Sequence, residues 1–134
     1  FFSLAGERMA DRILLVMAKR DGAYIAGALN FIGGDTLYGR YWGCLENHNF
    51  LHFEVCYYQA MEYAIASKIA HVEAGAQGEH KLARGYSPET TYSLHYLADP
   101  GLAEAVAAYL RHERGEIERE QALMSEGLPY KRCE

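Results

Sequence analysis

Between Ile13 and Trp42 three apolar stretches are separated by two glycine-bearing turn signals, and few architectures accommodate that pattern. Ile13 to Ala18 is a continuous apolar run, which predicts a strand buried on both faces. Arg20-Asp21-Gly22 follows, and Asp-Gly tolerates the positive φ that a tight hairpin requires. Tyr24 to Ile32 reads as a second strand, Gly33-Gly34-Asp35 turns the chain again, and Thr36 to Trp42 reads as an aromatic-rich third. Sequential strands with connections this short form an antiparallel meander.

From Phe50 to Lys68 the period changes. Phe50, Phe53, Tyr57, Met61, Ala64 and Ile65 recur at helical spacing, with Glu54, Tyr58 and Glu62 opposite them. Asn49 is placed to cap this helix, whose stripe of Phe53, Tyr57 and Met61 is expected to pack on the sheet. Ile69 to Glu73 is a short strand, Ala74 to Pro88 is irregular and polar, and Thr90 to Leu97 alternates well enough for a further strand. Asp99-Pro100 opens a last helix, with Asp as cap and Pro in the first turn. Its apolar positions are Leu102, Val106, Tyr109, Leu110 and Ile117, and beyond Arg111 it becomes a charge run typical of a solvated face. The expected fold is α+β, a mixed but mainly antiparallel sheet with packed helices in the order β-β-β-α-β-loop-β-α, in one domain over residues 1–134.

Composition excludes several roles. A length of 134 residues suits a single hydrophobic core. No apolar run approaches the roughly 20 residues that span a bilayer, and no membrane partner is expected. The start at Phe1 lacks both an initiator Met and the basic region of a signal peptide, which reads as a fragment or processed chain of a cytoplasmic protein. The net charge of −5 opposes a broad nucleic-acid face. Cys44, Cys56 and Cys133 share no metal-type spacing, and the six histidines form no metal-binding pair around a helical Glu, so no metal is expected.

The densest group of reactive side chains is the stretch from Glu73 to Tyr86, where Gln77, Glu79, His80, Lys81 and Arg84 are interleaved with small residues. Glycines add entropy and no packing, so such a stretch suits a close backbone approach to a ligand; it also fits a surface loop with solvated charges. Tyr38, Arg40 and Trp42 alternate along the third strand and are expected on one face, where an Arg between aromatic rings holds a carboxylate or phosphate, or simply stacks. His52 and Cys56 lie one helical turn apart, as a thiol–imidazole pair would, although without an orienting third group they suit packing better.

The phrases Gly27-Ala28-Leu29-Asn30, Gly33 to Gly43 (GGDTLYGRYWG) and Glu73 to Tyr86 (EAGAQGEHKLARGY) resemble the FemAB-like bacterial N-acyltransferases of the GNAT superfamily, over nearly the whole chain. The resemblance implies the C-terminal portion of a longer architecture, preceded by an N-terminal GNAT-like half. A looser likeness to aminoacyl-tRNA-dependent transferases, which place a Leu-Tyr-Gly strand before a long helix and then a strand ending in a carboxylate, implies Glu73 as acid/base and Lys81 to Tyr86 as a channel wall. In GNAT enzymes that use coenzyme A, a Gly-rich turn at a helix N-terminus cradles the pyrophosphate. The equivalent stretch here, Arg40 to Glu46, has Leu45 in place of the second small residue, and Glu46 adds negative charge, which disfavours an acetyl-CoA donor.

These implications combine into an N-acyl or aminoacyl transferase. Glu73 or His80 would be the base, and Arg40, Trp42, Gln77, Glu79, Lys81, Arg84 and Tyr86 would bind substrate. No tightly bound cofactor is expected; acyl-CoA or aminoacyl-tRNA would serve as donor and a small-molecule or peptidyl amine as acceptor. Exposed sheet edges predict a homo-oligomer. A non-catalytic GNAT-like module that binds a ligand in the same groove, or pairs with itself, is the competing expectation.

Overall fold

The computed structural model describes residues 1–75 and 78–129, apart from the side chain of Glu79. They fall into two compact units, Phe1–Gln77 and Gly78–Glu134.

The first unit begins with a short helix, α1 (Phe2–Arg8), and one 3-10 turn (Ala10–Arg12). The meander follows as β1 (Ile13–Arg20), β2 (Ala23–Gly33) and β3 (Thr36–Cys44), each antiparallel to the next. Asp21 and Gly22 both take positive φ, 49° and 84°, as a two-residue hairpin with the twist of its strands requires. Gly34, at φ 61°, turns the second hairpin. A fourth strand, β4 (His71–Glu73), lies parallel to β3 through the pairs Thr36–His71, Leu37–Val72 and Tyr38–Glu73. The sheet order is β1-β2-β3-β4, so the α+β class and its mixed, mainly antiparallel sheet are as expected.

Between β3 and β4 runs the helical segment α2 (residues 51–67), built from Leu51–Phe53, a π turn at Glu54–Tyr58, and Gln59–Ser67. Its cap is not Asn49. Phe50 occupies the cap position in the left-handed region (φ 67°), with no side-chain hydrogen bond to the helix. The π turn also redirects the expected stripe. One extra residue in a turn rotates everything beyond it by roughly 100°. The buried side chains are therefore Val55, Tyr57, Ala60 and Ala64, while Phe50 and Ile65 are exposed and Met61 is half-buried.

The core lies between α2 and one face of the sheet, the inner face, with Leu37 wholly enclosed. β1 is an edge strand rather than one buried on both faces. Leu14, Val16 and Ala18 turn inward opposite Asn30, Ala28 and Ala26, but Leu15 and Met17 are exposed on the outer face. The rings of Phe1 and Phe2 lie against Tyr41 on that outer face, at 6.4 and 5.3 Å between centroids.

The second unit holds a 3-10 helix (Glu79–Arg84) and the long helix α3 (Pro100–Glu126). Asp99 caps α3 as expected, its Oδ1 accepting the Leu102 N–H at 2.7 Å, with Pro100 in the first turn. Thr90 to Leu97 forms no strand, and Tyr92, Leu94 and Tyr96 are exposed. Alternation sets a face but supplies no ladder partner, and the described residues of this unit contain no strand for the segment to pair with.

Candidate functional site

The fourth strand pairs with β3 only as far as Tyr38–Glu73 among the described residues, whereas β3 continues to Cys44. The two strands thus leave a notch between them at Gly39 and Ala74. A Cβ on Gly39 would sit 3.3 Å from the Glu73 carbonyl oxygen and 3.6 Å from Asn30 Oδ1, so the glycine allows the end of β4 to approach β3 closely here. The notch meets a cavity of about 130 Å³ on the inner face, with Ala28 and Asn30 from β2, Arg40 and Trp42 from β3, and His52, Cys56 and Tyr57 from α2 in its wall.

Two local irregularities build that wall. On β3 a bulge leaves Arg40 as the extra residue between the pairs Asn30–Gly39 and Leu29–Tyr41. A bulge reverses the alternation of side chains beyond it. Trp42 therefore pairs with Ala28 and faces inward, while Tyr38 pairs with Phe31 and faces outward. The expected single face for Tyr38, Arg40 and Trp42 does not form. On α2 the π turn carries Cys56 and Tyr57 to the cavity, and the His52 ring meets those of Trp42 and Tyr57 edge-on at 5.2 and 5.3 Å.

Glu73 ends β4 paired with Tyr38, so its side chain belongs to the outer face and the notch lies between it and the cavity. The Arg40 guanidinium sits over the Tyr41 ring, 5.4 Å from its centroid. Arg40 and Glu73 form no ion pair among the described residues; the aromatic ring is the contact the bulge gives this Arg.

Cys56 is half-buried, and that burial pushes its thiol up to about 11. At neutral pH it is a protonated wall residue, not a nucleophile. Iodoacetamide is expected to label exposed Cys44 readily and Cys56 slowly, with the Cys56 rate rising about tenfold per pH unit up to its raised pKa. Peptide mapping after timed alkylation at pH 7 and 9 checks this; rapid labelling of Cys56 at pH 7 would contradict it.

The stretch from Arg40 to Cys44 is β-strand and not a phosphate-cradling turn, and α2 starts only at Leu51. Glu46 is bound by Arg20 through contacts of 3.0 and 2.8 Å, and His48 Nε2 lies 2.9 Å from it. Its negative charge is therefore locally matched. A larger hollow of about 320 Å³ lies at the hairpin end of the sheet, with Met17, Tyr24, Ile25 and Leu45 among its residues. No ionisable side chain except the phenol of Tyr24 and the thiol of Cys44 lines it, so it offers little for acid–base chemistry.

In the second unit the 3-10 helix gathers His80, Lys81 and Arg84, and Tyr86 follows its left-handed cap at Gly85 (φ 88°). Arg84 Nη1 donates to the His80 carbonyl at 2.6 Å, and the Tyr86 N–H donates to the Lys81 carbonyl at 3.2 Å. Partial burial lowers the Lys81 ammonium pKa below its ordinary value. Gln77 lies outside the described residues, as does the Glu79 side chain. The expected site residues thus form two groups, Arg40, Trp42 and Glu73 in one unit and His80, Lys81, Arg84 and Tyr86 in the other.

A family model described as peptidoglycan biosynthesis/recognition, the FemAB-like family, matches residues 1–132. The chain belongs to the FemAB-like family. No curated protein and no solved structure matches it. In this FemAB-like chain no described helix is long and apolar enough to cross a membrane. Sequence reasoning singled out Glu73 and Trp42 but missed Asn30 as a site residue, although a lone polar residue inside the apolar strand Ala23–Gly33 is a legible signal.

Proposed function

We propose that the chain is the catalytic-core part of an N-acyltransferase or aminoacyltransferase that acts on an amine of a peptidoglycan precursor. The observation that carries this reading is the notch at Gly39 and Ala74 in a FemAB-like chain, with a carboxylate at the strand end on one side and a cavity on the other. The acyl carbonyl of the donor sits in the notch. The amine attacks its carbon from the outer face, the new C–N bond forms, and the C–O or C–S bond to the donor breaks. Glu73 takes the proton that the amine loses, and the leaving oxygen or sulfur departs with the donor. Main-chain N–H groups of β3 beyond its last pair with β4 stabilise the oxyanion, which is worth most where water is excluded. Within the first unit, Arg40 contacts an anionic part of the donor or acceptor; His80, Lys81, Arg84 and Tyr86 of the second unit remain candidate substrate-binding residues there. The donor is an aminoacyl-tRNA or an acyl-CoA; strand geometry from Arg40 to Cys44 gives coenzyme A no helix N-terminus there and favours the former.

The reading requires that an amine-bearing peptidoglycan precursor gain one acyl group when incubated with the protein and an activated donor. The same precursor with its amine blocked must gain none. Product with the blocked precursor, or none with either, contradicts it. Glu73 is on the opposite sheet face from the cavity, which also favours a second reading, a module that binds precursor without turnover. Glu73→Gln separates them, because a binder keeps its affinity and shows no rate to lose.

A further inference from the structure

Asn30 is the one polar residue in the buried core among the described residues, at 1% exposure. Its Nδ2 donates to the Leu14 carbonyl on β1 at 3.3 Å. A carbonyl only accepts, so this bond fixes which end of the amide is which. Oδ1 is thereby directed to the β3 side, where it lies 3.6 Å from the position a Gly39 Cβ would take, on the cavity wall. Among the described residues Oδ1 accepts no hydrogen bond. Oδ1 is thus an accepting atom open to the cavity, free to take an N–H from a molecule that enters it.

The rest of the wall narrows what that donor is. It has no carboxylate, it includes one cation, Arg40, and the rings of Trp42, His52 and Tyr57 make up much of the rest. Arg40 and the lack of a counter-charge oppose a cation, and an ionised carboxylate has no hydrogen to give Asn30 Oδ1, so an uncharged N–H fits best. The volume, about 130 Å³, is close to that of cavities that admit a benzene-sized group (about 150 Å³). Flat aromatic rings suit a flat group of that size.

We propose that this cavity is an amide-binding subsite: a planar, uncharged amide of the substrate donates its N–H to Asn30 Oδ1 beside Gly39 and lies among the Trp42, His52 and Tyr57 rings. This deepens the acyl-transfer reading and rests on it for the origin of the ligand, which is either a peptide or the pantetheine arm of a thioester carrier. Asn30 is a specificity residue here, since it meets neither the carbonyl under attack nor the amine.

Trp42 is the chain's single tryptophan and lines the cavity, so its fluorescence reports occupancy directly. The experiment titrates the intact chain with N-methylacetamide and with methyl acetate, which has nearly the same shape but no N–H. The amide is expected to bind about tenfold tighter than the ester, and to be displaced by alanylalanine if the source is a peptide or by pantetheine if it is a carrier. Equal responses to amide and ester, or displacement by neither competitor, overturn the proposal. Asn30→Leu is expected to erase the preference, and a folded variant that retains it also overturns the proposal. Because Asn30→Leu loses the bond to Leu14, Gly39→Ala serves as a second variant: it leaves that bond intact, places a Cβ beside Oδ1, and is expected to weaken amide binding at least threefold, with unchanged binding counting against the subsite. None of these readings requires turnover, so an absence of acyl transfer and an absence of amide binding remain separate results.

Discussion

Replacing Glu73 with Gln is expected to lower the rate of acyl transfer by about 10²–10⁴-fold while leaving precursor affinity within about threefold, because a positioned general base contributes that much to proton transfer. Gln preserves the shape and hydrogen-bonding capacity of Glu73 but cannot take the proton from the attacking amine. The carboxylate is exposed on the outer face beside the notch, where an amine approaching from solvent reaches it without crossing the core. The effect should appear in kcat and kcat/KM together, since the interaction is made during proton transfer and not on binding. A loss confined to KM would make Glu73 a binding residue, and an unchanged rate would remove it from the mechanism. Because the outer face is open, a structural collapse from this substitution is not expected; circular dichroism of the variant should match the parent.

Leu37→Ala is expected to have the largest effect on stability, a loss of about 2–5 kcal/mol, the range for emptying a buried Leu site. Leu37 has no exposed surface, faces inward in β3, and pairs with Val72 in the parallel ladder that holds β4. The cavity it would leave weakens the ladder just before the notch. Trp42 fluorescence in a urea titration reads this unit specifically, because the only tryptophan lies within it. Leu94→Ala provides the contrast: Leu94 is fully exposed, and its removal should change stability by less than about 0.5 kcal/mol. Equal, small shifts for both variants would mean that the ladder around Leu37 is not where the core is anchored.

What could be read from the sequence follows from how local each determinant is. Asp21-Gly22 and Gly34 turn the chain by their own backbone preferences, so the meander from Ile13 to Cys44 was legible. Asp99 and Pro100 likewise specify a helix start within a few residues. Burial of β1 was misread because an apolar run does not reveal whether a second layer covers it, and here the outer side of Leu15 and Met17 is open. Thr90 to Leu97 has a strand's alternation without a neighbour to pair with, which no local pattern records. The site depended on two register changes. Arg40 became a bulge and residues 54–58 became a π turn, and each moved side chains by one position relative to ideal periodicity. Those shifts turned Trp42, Cys56 and Tyr57 into one cavity and separated Trp42 from Tyr38. Glu73 at a strand end was legible; Asn30 as an inward acceptor required knowing which side of its amide Leu14 holds.

The measurement that bears most directly on the central claim is a time course of the mass of an amine-bearing peptidoglycan precursor, incubated with the intact chain and, in parallel, aminoacyl-tRNA or acyl-CoA. The account predicts that with one donor the precursor gains the mass of a single acyl group in amide linkage, at a rate proportional to protein concentration. A precursor that binds the chain but keeps its mass with both donors would contradict acyl transfer and leave the chain a recognition module.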